Sequence, residues 1–326
     1  MRMLKLSNFL QVKFNIFLYT FLEWNVIRLY IYFLCKLYFF FNKNERNSIK
    51  KAVNDVIGWL KSEKDLSNIT KKVFSGIFYH YYEKIHIAFS RKKKLADFLN
   101  HHVVYKDVSV IEKALSKGKG VILITGHYGA IEYIPILLGM INIDISMIAK
   151  FKTPQIRKRD LKQASNFGIQ MIDADNRGTT FHKAVKELKH NRVLITQCDE
   201  IDEWRTSDKK KMTFLGKVTG LDRTVNLLHR RTGAEVVFGI MYRFNLKQYK
   251  FVAYSHEKMK SMIKNTSTST VGEVVLKVLE QLIYKYPEQW YEWKKYPKIA
   301  STHGFSDLGE KYQVVPYLQP AFNISL

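Results

Sequence analysis

The chain has 326 residues, 46% of them hydrophobic, enough for one large domain or two of ordinary size around a substantial core, which excludes a disordered chain. Its 53 Lys and Arg against 29 Asp and Glu leave a net charge of +24, a statement about partners: nucleic acid, an anionic membrane surface or an acidic carrier protein. The two cysteines, Cys35 and Cys198, make no disulfide framework, and no Cys/His cluster has zinc spacing, so a reducing compartment and no structural metal are expected.

Residues 8–41 are rich in Phe, Leu, Ile, Tyr and Trp, and no Gly or Pro precedes Gly58. Lys13, Glu23, Arg28 and Lys36 interrupt this stretch, whose longest uncharged run, 14–22, is far short of the roughly 20 residues of a clean span. It lacks the small-residue cleavage site of a secretory signal. The aromatic and basic content predicts that 1–44 is a helical segment lying in or dipping into the bilayer interface, its Lys and Arg reaching headgroups. A buried helical hairpin packed on the following domain is the alternative.

Residues 45–118 read as a helical lead-in: Val53, Val56, Ile57 and Leu60 fall at helical spacing, as do Phe74, Ile77, Phe78, Tyr81 and Tyr82. Lys92-Lys93-Lys94 reads most simply as a solvated turn, with phosphate contact as its other use. A helix over 108–116 ends at Lys117-Gly118-Lys119-Gly120. Strands are then predicted at 121–125, 143–148, 169–172, 193–197, 235–242 and 249–254. Helices are predicted at 130–140, 153–166, 179–188, 223–231 and 270–284. This alternation predicts an α/β core over 119–300, a layered, mostly parallel sheet flanked by helices. No Pro- or Gly-rich linker divides 45–326, which reads as one catalytic domain closing in a C-terminal tail.

The segment carrying most chemistry is Gly126-His127-Tyr128-Gly129-Ala130-Ile131-Glu132, directly after the apolar run Val121-Ile122-Leu123-Ile124-Thr125. A histidine sits where a strand has ended and a helix is about to begin, with a carboxylate after four intervening residues. His127 and Glu132 are candidates for a general base and the group that orients it. Glu132 reaches the imidazole only if the helix starts between them. The other reading is a helix-capping histidine with Glu132 favouring the positive helix end. Gly126 and Gly129 leave room for substrate at a strand's carboxyl end, and the amides after Gly129 are placed to meet an oxyanion. No Gly-x-Ser-x-Gly elbow is present and Cys198 has no nearby histidine in sequence, so no covalent enzyme intermediate is expected.

The stretch Gly118 to Gly129, read as GKGVILITGHYG, resembles the first block of the lysophospholipid acyltransferase superfamily, and in particular its branch of late lipid A acyltransferases. Three further blocks resemble that branch in order and spacing. They are Val193-Leu194-Ile195-Thr196-Gln197-Cys198-Asp199, then Phe214 to Gly220 with Arg230 to Ala234 after it, and Tyr286-Pro287-Glu288-Gln289-Trp290-Tyr291-Glu292-Trp293. The resemblance implies transfer of a fatty acyl chain from an acyl carrier protein or coenzyme A thioester to a hydroxyl of a membrane lipid. The thioester is a co-substrate and no cofactor is implied. His127 would be the base and Glu132 its partner, at the cytoplasmic face of the inner membrane, peripheral or with a single span.

Gly129, Asp199, Lys217, Arg223 and Arg243 are the candidate substrate-binding residues, with the cations suited to phosphate oxygens. After Gly129 the branch commonly shows Asn-Trp, and here Ala130-Ile131 stand; after Trp293 it shows His, and here Lys294-Lys295 follow. The acceptor therefore stays open among a lipid A-type glycolipid, an aminolipid and a lysophospholipid, and a non-catalytic lipid- or partner-binding relative is the alternative function. The aromatics concentrate near the N-terminus and no nucleic-acid motif is present, so no nucleic acid partner is expected.

Overall fold

A computed structural model describes residues 5–150, 154–174, 177–201, 206–263, 270–301 and 324. The N-terminal part is helical: α1 (Leu6–Leu10), α2 (Lys13–Phe21), α3 (Trp24–Phe41), α4 (Lys43–Ile57), α5 (Glu63–Phe89), α6 (Lys92–His102) and α7 (Val108–Leu115). In α3, Ile27, Ile31, Leu34, Cys35 and Phe39 recur at helical spacing and are buried. This stripe packs on α5, with Phe39 against Phe74 and Phe78, and Tyr32 against Phe78. Burying both sides of that seam removes enough apolar area from water to hold α3 against the domain.

The opposite faces are apolar too, and exposed: Phe14, Phe17 and Phe21 on α2, and Val26, Leu29, Phe33, Phe40 and Phe41 on α3. Exposed large apolar residues concentrated on two consecutive helices mark a surface suited to a partner or a membrane. By length and composition α3, with 18 residues, is long and apolar enough to cross a bilayer, although a third of it is buried in the protein.

The predicted α/β class is the observed one. Strands β1 (Val103–Val104), β2 (Val121–Thr125), β3 (Ile145–Ala149), β4 (Ile169–Asp173) and β5 (Val193–Gln197) are followed by β6 (Thr206–Phe214), β7 (Lys217–Asp222), β8 (Glu235–Asn245) and β9 (Gln248–Ser255). Seven of them form one sheet in the order β1-β9-β8-β2-β5-β3-β4, parallel throughout except for the β8–β9 hairpin. The remaining α-helices described are α8 (Tyr133–Met140), α9 (Pro154–Asn166), α10 (Arg177–Lys189), α11 (Thr224–Thr232), α12 (His256–Met262), α13 (Val271–Lys285) and α14 (Lys298–Ser301). Every residue of β2 is buried, as a strand covered on both faces requires.

Two local differences from expectation bear on the site. The helix after β2 starts at Tyr133 rather than near 130, because Ala130 gives its N–H to Met241 O and Ala130–Tyr133 form a turn first. The β6–β7 hairpin, unforeseen, turns at Leu215-Gly216, both with positive φ (50° and 78°), the handedness of a two-residue primed turn. Leu215 tolerates that conformation with its N–H donated to Glu280 Oε1 at 2.6 Å.

Candidate active site

The parallel register of β2 with β5 aligns Thr125 with Gln197. Two residues beyond that pair, both chains leave the sheet's carboxyl edge, and His127 stands beside Asp199. In the sheet, β5, β3 and β4 lie on one side of β2 and β8 and β9 on the other, so this edge is a topological switch point. The Asp199 carboxylate is fully buried. It accepts from the His127 backbone N–H at 3.0 Å, from His127 Nδ1 at 2.8 Å and from Trp290 Nε1 at 2.8 Å. Three donors on one buried acid fix the imidazole's orientation and its Nδ1 proton.

The expectation that Glu132 orients His127 is therefore corrected. Glu132 occupies the N-cap position of α8, and its Oε1 lies 3.7 Å from Lys84 Nζ on α5. The helix starts after Glu132 rather than before it, which carries the carboxylate to α5 instead of to the ring. Asp199, anticipated as a substrate ligand, is the group on His127.

The other imidazole nitrogen is also occupied. His127 Nε2 lies 3.3 Å from Glu200 Oε2, and Glu200 is itself held by Lys295 at 2.6 Å. Burial disfavours charge on His127, but the Asp199 charge and the bonds to Asp199 and Glu200 outweigh it and raise its pKa from the ordinary value to about 10. Burial likewise opposes the Asp199 charge, and His127 with Trp290 overcomes it and lowers that pKa. Glu200 is also lowered against its burial, by His127 and Lys295. The two carboxylates that flank the ring favour its protonated form.

The loop that carries His127 is clamped from both sides. Gly129 has φ +65°, and a Cβ there would sit 2.1 Å from Met241 O, so no other residue fits without displacing β8. Its N–H goes to Gln289 O, and Tyr291 N–H goes to His127 O. The expectation of oxyanion-binding amides after Gly129 is corrected at Ala130, whose N–H is spent on Met241 O, as that of Gly129 itself is on Gln289 O. Gly129 shapes the turn instead. Arg243, expected on phosphate, is corrected as well. It is buried, paired through Nε and Nη2 with both oxygens of Glu83, and donates from Nη2 to Gly129 O at 3.0 Å. A guanidinium so enclosed braces the loop and is not presented to a ligand.

His127 opens onto a cavity of about 560 Å³, within the range of small-molecule sites. Thr125, His127, Glu132, Lys84, Asp160, Glu200 and Glu292 supply polar wall, and Met147, Ile148, Ile169, Met171, Phe181 and Ile195 supply apolar wall. The Glu132 charge raises the pKa of Lys84 despite its burial. Asp160 is raised to about 7, by burial first, with Lys84 opposing and Glu132 adding. Tyr291 meets the imidazole edge-on at 5.5 Å and is stacked at 3.6 Å on His80.

Lys217 does not line this cavity. Its Nζ donates to Tyr296 O and Pro297 O and lies 4.3 Å from the Tyr296 ring centre, so the β6–β7 hairpin folds it onto the C-terminal segment and the expectation of a phosphate ligand is corrected. Arg223 is exposed at the N-cap of α11, between Asp222 and Thr224, which do line the cavity.

Sequence reasoning missed Glu200, Lys295, Lys84, Glu83 and Trp290 as site residues. Only Trp290 carried a signal, because it lies in the block Tyr286–Trp293 that the resemblance had marked. That block crosses beneath the His127 loop and supplies Gln289, Trp290 and Tyr291 to it.

A buried carboxylate holding a histidine at the carboxyl edge of a parallel sheet, over a cavity with polar and apolar walls, defines an α/β protein with a ligand site at its topological switch point. A family model for bacterial lipid A biosynthesis acyltransferases matches residues 2–295, and the chain belongs to that family. It is thereby an acyltransferase of lipid A biosynthesis. No curated protein matches the chain.

Proposed function

We propose that the protein transfers a fatty acyl chain from an acyl carrier protein or coenzyme A thioester directly to a hydroxyl of a lipid A-type glycolipid. The observation that carries this is the Asp199–His127 pair facing a cavity with both polar and apolar walls. The acceptor hydroxyl gives its proton to His127 Nε2 as its oxygen bonds to the thioester carbonyl carbon. The tetrahedral intermediate then expels the thiolate, which takes the proton back from the imidazolium. Asp199 keeps Nδ1 protonated and stabilises the cationic ring through both steps. Arg223, at the rim, is placed to meet an acidic carrier or a phosphate of either substrate. The exposed phenylalanines of α2 and α3 hold the protein to the anionic cytoplasmic surface of the inner membrane, which the net charge of +24 favours.

Glu200 must leave Nε2 before a hydroxyl takes its place. With Asp199, Glu200, Glu292 and Lys295 around the ring, the limb of the pH–kcat/KM profile governed by His127 is expected on the alkaline side of neutrality in the free protein, since only the neutral ring accepts a proton. Glu200→Gln removes one stabilising charge from the imidazolium. It should move this limb to lower pH and raise the rate near neutrality; an unmoved limb would show that Glu200 is not on Nε2 in solution.

The activity itself is tested by mass spectrometry of detergent-solubilised protein incubated with acyl carrier protein or coenzyme A thioesters and total bacterial lipid. A glycolipid gaining one acyl mass only with the intact protein is the expected result. A gain on a lysophospholipid or aminolipid would reassign the acceptor. No gain with either thioester, in folded protein, would favour a binding-only relative.

A further inference from the structure

The run Arg91-Lys92-Lys93-Lys94 is not a turn. Arg91 is the N-cap of α6 and the three lysines form the first turn of this 11-residue helix. Cations there oppose the positive end of the helix dipole, where anions are favoured. No side chain caps the free amides. Beside this helix end lies a second cavity of about 300 Å³, lined by Ser90, Arg91, Lys92, Arg159, Lys162 and Gln163 among others and by no Asp or Glu.

The cations rest on aromatic faces. The Arg159 guanidinium lies 3.9 Å from the Phe89 ring centre and Lys92 Nζ 5.5 Å from that of Phe167. Among the described residues, none of Arg91, Lys92, Arg159 and Lys162 has a carboxylate partner. Ser90 adds an independent observation. It is 6% exposed, and its Oγ is buried with no hydrogen-bond partner. A buried hydroxyl left unserved is unfavourable, and native proteins rarely keep one without a reason.

The location narrows the ligand. Phe89, under Arg159, meets Tyr19 of α2 edge-on at 5.6 Å, and α2 presents Phe14, Phe17 and Phe21 outward. The basic cavity is thus one ring away from the exposed aromatic surface. Helix α9 separates it from the catalytic cavity: Asp160 and Ala164 face His127's cavity, Arg159 and Lys162 face this one, and Gln163 borders both. Gln163 also ties the walls together, donating to Ile87 O and Ser90 O.

We propose that this cavity binds the phosphate of a membrane lipid headgroup, with Ser90 Oγ and the first amides of α6 on its oxygens and Arg91, Lys92, Arg159 and Lys162 neutralising its charge. The lipid as the source of the phosphate rests on the membrane-bound reading above; the phosphate chemistry does not.

The test uses the full chain in detergent, titrated calorimetrically with inorganic phosphate and with water-soluble dihexanoyl phosphatidate. One phosphatidate per chain is expected, bound at least about tenfold more tightly than inorganic phosphate. Lys92→Gln with Arg159→Gln should weaken binding about tenfold or more, and Ser90→Ala by several-fold. Lys93→Gln with Lys158→Gln, which removes the same charge outside the cavity, should leave it unchanged. Equal weakening by both pairs, or no saturable binding, would overturn the site. Inorganic phosphate bound as tightly as phosphatidate would overturn the lipid source. Acyl transfer is no part of this readout, so its failure and that of the acyltransferase mechanism are separately visible.

Discussion

His127→Ala is expected to lower acyl transfer by about 10²–10⁴-fold, the usual range for removing a positioned general base. Asp199→Asn should fall in the same range although it barely changes volume. An amide in place of the carboxylate brings donors of its own against the His127 N–H and Trp290 Nε1–H, and it no longer stabilises the imidazolium. Glu132→Gln, by contrast, loses a 3.7 Å contact with Lys84 and should cost less than about tenfold. The three variants, assayed at matched folded fraction, separate two arrangements of the same motif. If Glu132→Gln is as damaging as His127→Ala while Asp199→Asn is spared, the orienting role returns to Glu132. The opposite order places Asp199 on the ring during turnover, as it is at rest.

That choice was not available from the sequence, for a physical reason. Local spacing reports neighbours along one helix or strand, and it offered Glu132, five residues from His127, as the partner. The pairing with Asp199 spans 72 residues and is set by the β2–β5 register, which a buried apolar strand such as VILIT does not encode by periodicity. What periodicity did carry was the sheet itself. The strands at 121–125 and 193–197 were placed to the residue, because continuous apolar runs bounded by turn residues are the mark of doubly covered strands. The β6 strand, TSDKKKMTF, is not among the predicted strands because three consecutive lysines break the apolar alternation that marks one. The roles of Arg243 and Lys217 were misplaced because an isolated cation in sequence looks the same whether it meets a phosphate, a buried glutamate or a carbonyl.

The second large effect falls on stability. Arg243→Met is expected to destabilise the fold by about 3–5 kcal/mol, the usual cost of leaving one member of a buried ion pair without its partner. Glu83 is fully buried on α5, and burial already raises its pKa against the pull of Arg243. Without the guanidinium it must either take up a proton or carry an uncompensated charge. Thermal unfolding in detergent should show the loss. The double variant Glu83→Leu with Arg243→Met should recover much of it, because two packed apolar side chains avoid the desolvation that the ion pair had to offset.

Transfer activity, however, should stay low in that double variant. Gly129 O would still lack the Arg243 Nη2 donor, and the His127 loop would lose its guanidinium brace while keeping the Ala130 N–H bond to Met241 O and the Gly129 N–H bond to Gln289 O. Recovered stability with unrecovered kcat would mean that the pair serves to position the histidine; recovery of both would reduce it to a packing element, and the loop would then be held well enough by its backbone bonds to Gln289, Tyr291 and Met241.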